Sequence, residues 1–141
     1  MVDVSVREEL DSPADVVWSE IQDFGSTKAW FPAAKVVEIQ GSGAGATRRV
    51  QTENGIFAER CEEHDPEARR FRYSLLEDTA GIRNYVAVVE VEALTEERSA
   101  LTWSCTFDCD ADAVDALRQR YEDIYRNLFI ASVRSHLEDG E

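Results

Sequence analysis

Apolar and polar residues alternate strictly at the start of the chain. Val2, Val4 and Val6 are interleaved with Asp3, Ser5 and Arg7, which is the pattern of a strand with one buried face. The period then lengthens. Asp11-Ser12-Pro13 opens a helix, with Ser12 as N-cap, Pro13 at the first helical position and Asp15 three residues after the cap, where negative charge suits the helix dipole. Val16, Val17, Ile21 and Phe24 form its apolar face, with Trp18 close by. Gly25 stops it, and Ser26 opens a second short helix ending at Trp30-Phe31-Pro32.

From there the period returns to two. Lys35 to Gln40 reads as a strand, Gly41-Ser42-Gly43-Ala44-Gly45 as a glycine-rich turn, and Thr47 to Thr52 as the next strand. Glu53-Asn54-Gly55 is a hairpin signal, because Asn-Gly tolerates positive φ. Ile56 to Glu63 follows, closed by His64-Asp65-Pro66. In the next strand Phe71, Tyr73 and Leu75 share one face, opposite Arg72 and Ser74. Asp78-Thr79-Ala80-Gly81 turns into a long strand from Arg83 to Ala93, where Tyr85, Ala87, Val89 and Val91 face one way. Residues 99–109 make the last strand. After Asp110 or Asp112, residues 112–138 read as one helix, on which Leu117, Tyr121, Ile124, Leu128 and Ala131 recur at the spacing of a buried stripe, widened by Tyr125 and Phe129.

Seven strands followed by one long helix lack the strand–helix alternation of a doubly wound fold, so the class is α+β with an antiparallel sheet. The predicted architecture is a seven-stranded curved sheet around the C-terminal helix, with two short helices after the first strand. One helix with an apolar stripe of about 100° cannot cover a flat sheet that wide, so the sheet must curl. Curling leaves a space between helix and sheet, the candidate site for a small apolar ligand.

A length of 141 residues suits a single domain over 1–141, and 43% hydrophobic residues supply a core without disulfides or metal. The formal charge of −14 opposes binding to nucleic acid, which needs lysines and arginines to displace counterions, and opposes anionic membranes as well. No apolar run approaches the ~20 residues of a membrane span, and the charged, alternating N-terminus is neither signal peptide nor anchor. Cys61, Cys105 and Cys109 are odd in number and unpaired in spacing, so they read as reduced small hydrophobes of a cytoplasmic protein.

Several motifs together carry a family resemblance: VWSEIQDFGSTKAWFP at 17–32, RRV at 48–50, FAERCEEHDP at 57–66, Tyr73-Ser74, Asn84-Tyr85 and LTW at 101–103. This pattern resembles the START/Bet v 1-like (SRPBCC) superfamily, in its bacterial polyketide cyclase/dehydrase-type branch. It is also similar to plant abscisic-acid receptors, especially in AERCEEHDPEARRFRYSL and IRNY. The resemblance implies a helix-grip fold with a cavity for hydrophobic small molecules, hosted by carriers, receptors and aromatase/cyclases alike. Carried over by position, it puts Glu59 on the cavity wall, and strand alternation gives Phe57 and Cys61 the same side. It also implies pocket-wall roles for Tyr73, Leu75, Tyr85 and Ala87, and an acidic cavity position at Asp108. The last strand contradicts itself there, because Leu101, Trp103, Cys105 and Phe107 have the opposite parity: either the alternation breaks at a bulge or Asp108 faces out. The loop at 53–55 and the turn Ala80-Gly81-Ile82 correspond to the receptors' gate and latch without their sequences. Glu38 falls near the place of the receptors' carboxylate-binding lysine, which favours a neutral or cationic ligand over an acidic one.

Glu59 is the candidate catalytic acid–base, since desolvation suits a cavity carboxylate to proton transfer near neutral pH. Alternatively it pairs with a strand arginine such as Arg48, Arg49 or Arg60, or simply holds water. Trp30 either lines the cavity mouth or anchors its short helix. Of the two histidines, His64 reads as a solvated turn residue and His136 as a helix-end cation. Neither has metal-ligand spacing, and no cofactor is called for. The expected function is binding or transport of a lipid, isoprenoid or polyketide-like molecule by a monomer or homodimer, in contact with Trp30, Phe57, Glu59, Tyr73, Leu75, Tyr85, Ala87, Asp108, Tyr121, Ile124, Tyr125 and Leu128. An aromatase/cyclase using Glu59, and an interaction module gated by ligand, are the alternatives.

Overall fold

The computed structural model describes residues 1–79 and 81–139, so Ala80 of the expected latch turn lies outside the described residues. The alternating segments form β1 (Val2–Leu10), β2 (Lys35–Gln40), β3 (Thr47–Thr52), β4 (Gly55–Asp65), β5 (Arg70–Leu75), β6 (Arg83–Ala93) and β7 (Ser99–Asp108). They make one antiparallel sheet in the order β1-β7-β6-β5-β4-β3-β2. Each sequential pair from β2 to β7 is a neighbour, and β1 closes against β7 with Val4 opposite Cys105 and Val6 opposite Trp103. Bulges fall in β2 between Val36 and Glu38, in β4 between Cys61 and Glu63, and in β6 between Arg83 and Val86. Such irregularities sharpen the local twist and let the sheet curl.

The hairpin joining β3 to β4 turns on Glu53 and Asn54. The positive φ lies at Gly55 (122°), where a side chain would be strained, and not at Asn54. The β6 bulge is built on Asn84, which holds a left-handed φ of 56° and donates from Nδ2 to Asp108 Oδ2 at 2.9 Å. That kink sets the parity that turns Tyr85 inward.

α1 (Ala14–Ile21) forms where expected and buries Ala14, Val17, Trp18 and Ile21. Its N-cap is Pro13, with extended backbone and no side-chain cap, so the cap role expected of Ser12 is not filled. Val16 and Val17 both donate to the Pro13 carbonyl instead. The expected second short helix is absent. Residues 27–31 make one turn, in which Trp30 and Phe31 donate to the Thr27 carbonyl at 3.2 and 2.7 Å. Pro32 stops its continuation, because the residue before a proline is pushed out of the helical region.

The C-terminal helix runs through a 3-10 turn (Ala111–Ala113), α2 (Val114–Asp123), a π-helical stretch (Ile124–Ile130) and α3 (Ala131–Asp139). Its fully buried residues are Tyr125, Phe129, Ile130 and Val133, while Leu117, Tyr121, Ile124 and Leu128 of the expected stripe are half-buried. The π stretch carries more residues per turn, so the face rotates away from the 3.6-residue count. The helix leans on β1 and β7: Arg126 pairs with Glu8 at 3.3 Å, and Arg134 donates to the Glu9 carbonyl at 3.0 Å. No helix among the described residues is long and apolar enough to cross a membrane.

Candidate functional site

The concave face of the sheet is assembled by parity. Arg48 and Val50 on β3, Phe57, Glu59 and Cys61 on β4, Tyr73 and Leu75 on β5, Tyr85 and Ala87 on β6, and Trp103, Cys105 and Phe107 on β7 all project from it. Register then makes rows across it: Arg48 opposite Glu59 and Glu59 opposite Leu75, then Cys61, Tyr73, Ala87 and Cys105 in succession.

Its most unusual member is Arg48, whose side chain is 1% exposed. Nε donates to Glu59 Oε1 at 2.7 Å and Nη1 to the Phe24 carbonyl at 3.1 Å. The guanidinium carbon lies 3.9 Å from the Phe24 ring centroid, 5.2 Å from that of Tyr73 and 5.3 Å from that of Trp30. A buried cation is tolerated only with a counter-ion, hydrogen bonds and aromatic faces of this kind. Its remaining nitrogen, Nη2, and the indole Nε1 of Trp30 are buried without a hydrogen-bond partner among the described residues.

A second polar set lies deeper. Trp103 Nε1 donates to the Tyr73 hydroxyl at 3.2 Å, and the hydroxyls of Tyr85 and Tyr125 are hydrogen-bonded to each other. Burial pushes Tyr73, Tyr85 and Tyr125 well above the ordinary tyrosine range, and pushes Tyr121 up to about 12. Burial likewise raises the Cys105 thiol to about 11. These groups are neutral hydrogen-bonding partners at physiological pH, able to donate to a ligand oxygen and unable to act as anions.

Aromatic rings fill most of the space between helix and sheet. Trp30 meets Phe129 edge-on at 4.8 Å, Trp103 lies 4.9 Å from Phe129 and 5.0 Å from Trp30, and Phe107 lies 5.4 Å from Tyr121. The expected open space is thus largely occupied by side chains. Two depressions among the described residues lie elsewhere. One is a groove of about 380 Å³ lined by residues such as Ser5, Val86, Val88, Ser104 and Thr106, and the other, of about 280 Å³, lies among Phe24, the Gly41–Gly43 turn and His64.

Tyr73, Tyr85, Ala87 and Tyr125 are buried together. Trp30 is 3% exposed and stacked in the core, so it does not line a mouth. Phe57, Glu59, Leu75, Tyr121, Ile124 and Leu128 are half-buried. They form the margin of the site, and α2 beside them has no fully buried residue. Asp108 is not brought to the site: it lies on the outward parity, 39% exposed, held by Asn84 and 3.6 Å from the N-terminal ammonium. His64 is a β4 residue rather than a solvated turn residue, 3.1 Å from Gln22 Oε1 and packed against Trp18 at 5.5 Å. His136 Nε2 lies 2.8 Å from Glu20. Arg48, Trp103, Cys105 and Phe129 are site residues absent from the sequence-derived set. For Arg48 the signal existed, since it shares strand parity with Val50.

A family model described as "Polyketide cyclase / dehydrase and lipid transport" matches residues 1–138. The chain belongs to this family. No curated protein matches it significantly. Among solved structures, a protein of Thermobifida fusca determined by solution NMR is 26% identical over 95% of this chain and 91% of its own, with a TM-score of 0.84. The di-domain aromatase/cyclase BexL, from the BE-7585A biosynthetic pathway, is 18% identical with a TM-score of 0.82; 98% of this chain corresponds to 47% of that one. Norcoclaurine synthase from Thalictrum flavum, solved with dopamine and hydroxybenzaldehyde, is 13% identical over 99% of this chain and 87% of its own, with a TM-score of 0.74. The fold is that of these helix-grip proteins. Family membership is consistent with hydrophobic ligand binding and with cyclase chemistry, and does not by itself choose between them.

Proposed function

We propose that the protein binds a flat, predominantly apolar small molecule between the long helix and the concave sheet. The observation that carries this reading is the Arg48–Glu59 ion pair in the midst of the aromatic wall. A buried ion pair is seldom more stabilising than apolar residues of similar volume, so its presence there points to recognition rather than to packing. Entry is by displacement of the half-buried margin formed by Phe57, Leu75, Tyr121, Ile124 and Leu128. Apolar contact supplies most of the affinity, at about 25 cal/mol per Å² before ordering costs, and the tyrosine hydroxyls with the ion pair set orientation.

An aromatase/cyclase role is the second reading, favoured by the tyrosines held neutral beside the site, which can donate to a developing oxyanion. Against it, the carboxylate that would act as base is already engaged by Arg48. Native mass spectrometry of the purified protein, with denaturing extraction and a fluorescence titration against 2-ethylnaphthalene, tests the binding reading. A co-purified apolar molecule, or saturable quenching of Trp30 and Trp103, supports it. Failure of both removes it. Product formation lost in E59Q while binding survives replaces it with the enzymatic reading.

A further inference from the structure

Of the three buried side-chain polar atoms without a hydrogen-bond partner among the described residues, Ser99 Oγ, Arg48 Nη2 and Trp30 Nε1, the last two sit on neighbouring side chains of the site. The Arg48 guanidinium carbon lies 5.3 Å from the Trp30 ring centroid, and both Arg48 Nη2 and Trp30 Nε1 lack an acceptor among the described residues. Every other polar group of the guanidinium is accounted for: Nε by Glu59 and Nη1 by Phe24. An unmet buried donor costs the desolvation of the group, and two on adjacent side chains double that cost unless one acceptor serves both. A phenylalanine at this position would still present an aromatic face to Trp103 and Phe129, with less buried area, but would supply no donor. Its N–H is the part of the side chain that the packing leaves unexplained.

Resting on the proposed function, we propose that Arg48 Nη2 and Trp30 Nε1 form a paired-donor subsite for one uncharged acceptor oxygen of the ligand, a ketone, ester or amide carbonyl. Charge decides between a carbonyl and a carboxylate. Glu59 at 2.7 Å already balances Arg48, so an anionic ligand would place two carboxylates on one buried guanidinium and leave one negative charge uncompensated. A carbonyl brings two lone pairs, one for each donor, and no net charge. The flat aromatic walls of Phe24, Trp30 and Tyr73 then favour a carbonyl conjugated to a ring.

Three probes of one shape test this: 2-acetonaphthone with a neutral acceptor, 2-ethylnaphthalene with none, and 2-naphthoate with a charged one. The ratio of Kd for 2-ethylnaphthalene to that for 2-acetonaphthone is measured in the wild type and in W30F, so that differences in solubility cancel. The ratio is expected to fall by about fivefold in W30F, the worth of one buried hydrogen bond, with 2-naphthoate the weakest of the three in both proteins. In ¹H–¹⁵N spectra of the wild type, the Trp30 indole N–H is expected to move downfield with 2-acetonaphthone and to stay in place with 2-ethylnaphthalene, a readout that does not depend on the variant folding. If both neutral probes bind with an unchanged ratio and the Trp30 signal does not respond, the donors serve no ligand and this subsite is overturned, while the proposed function stands. If 2-naphthoate binds best, the site is for anions and the proposal is likewise overturned. If none of the three binds, the proposed function falls and the subsite with it.

Discussion

Replacing Glu59 by leucine removes the only carboxylate hydrogen-bonded to Arg48 among the described residues and leaves its guanidinium there with one bond, to the Phe24 carbonyl. Arg48 is 1% exposed, so water cannot take over the lost contact without opening the site. Breaking one side of a buried pair costs about 3–5 kcal/mol, because a buried charge is left uncompensated. The stacking of Arg48 on Phe24 at 3.9 Å softens that cost without replacing the acceptor, which places E59L within this range rather than above it. E59Q keeps an acceptor but leaves the Arg48 charge uncompensated, and is expected to cost less than E59L, about 2–3 kcal/mol. The double variant R48M/E59L removes both charges and restores stability to within about 1 kcal/mol of the wild type. Urea denaturation with unchanged m-values is the assay, supported by a fall in Tm of about 6–20 °C for E59L. Costs of E59L and R48M that simply add in the double variant would mean the two groups are not coupled, and the reading of a paired buried site would be wrong.

Three further outcomes follow from the same geometry. All four tyrosines of the chain lie in the site cluster with burial holding them above their usual value of 10.0. Unfolding therefore releases more protons above pH 10, and stability falls from that pH upward, by about 1.4 kcal/mol per pH unit for each tyrosine until its folded-state value is passed; absorbance at 295 nm should show tyrosinate appearing together with unfolding, and gradual ionisation in the folded protein at pH 10 would contradict the burial. Asn84 at φ 56° sets the β6 bulge, so N84G should keep stability within about 1 kcal/mol, whereas N84V should lose about 2 kcal/mol in the same urea assay. Burial raises the thiols of Cys61 and Cys105 but leaves Cys109 half-exposed, so iodoacetamide at pH 8 should modify Cys109 first, as read by peptide mass spectrometry.

The strands were legible because their inner residues are apolar almost without interruption: Tyr85, Ala87, Val89 and Val91 announce β6, and Val2, Val4 and Val6 announce β1. The long helix was legible for the same reason, but its phase was not. The π stretch at Ile124–Ile130 depends on how Tyr125 and Phe129 fit the sheet, which no local period encodes. The turn at 27–31 carries a helical composition and forms a single helical turn, because Pro32 blocks its extension and Trp30 is drawn into the core. Alternation placed Tyr73 with Leu75, Tyr85 with Ala87, and Phe57 with Glu59 and Cys61 on common faces, while their role as a pocket wall was implied by the family resemblance. Arg48 shares parity with Val50 and was one of three arginines offered as a partner for Glu59, but its burial did not follow, since charge alone argues for solvent and only the opposing Glu59, the Phe24 carbonyl and three aromatic faces make it tolerable. Nor did the filling of the helix–sheet space, which depends on the volumes of rings contributed from five separate elements and the turn at Trp30.

Where a ligand lies is the central claim, and methyl NOE spectroscopy of the complex with 2-ethylnaphthalene reads it directly. Contacts from the probe to the methyl groups of Leu75, Ile124 and Leu128, together with shifts of the Trp103 indole, are the predicted result. Contacts to Val86 and Val88, which line the 380 Å³ groove, with no response from Leu75 or Leu128, would place binding away from the helix and contradict the account.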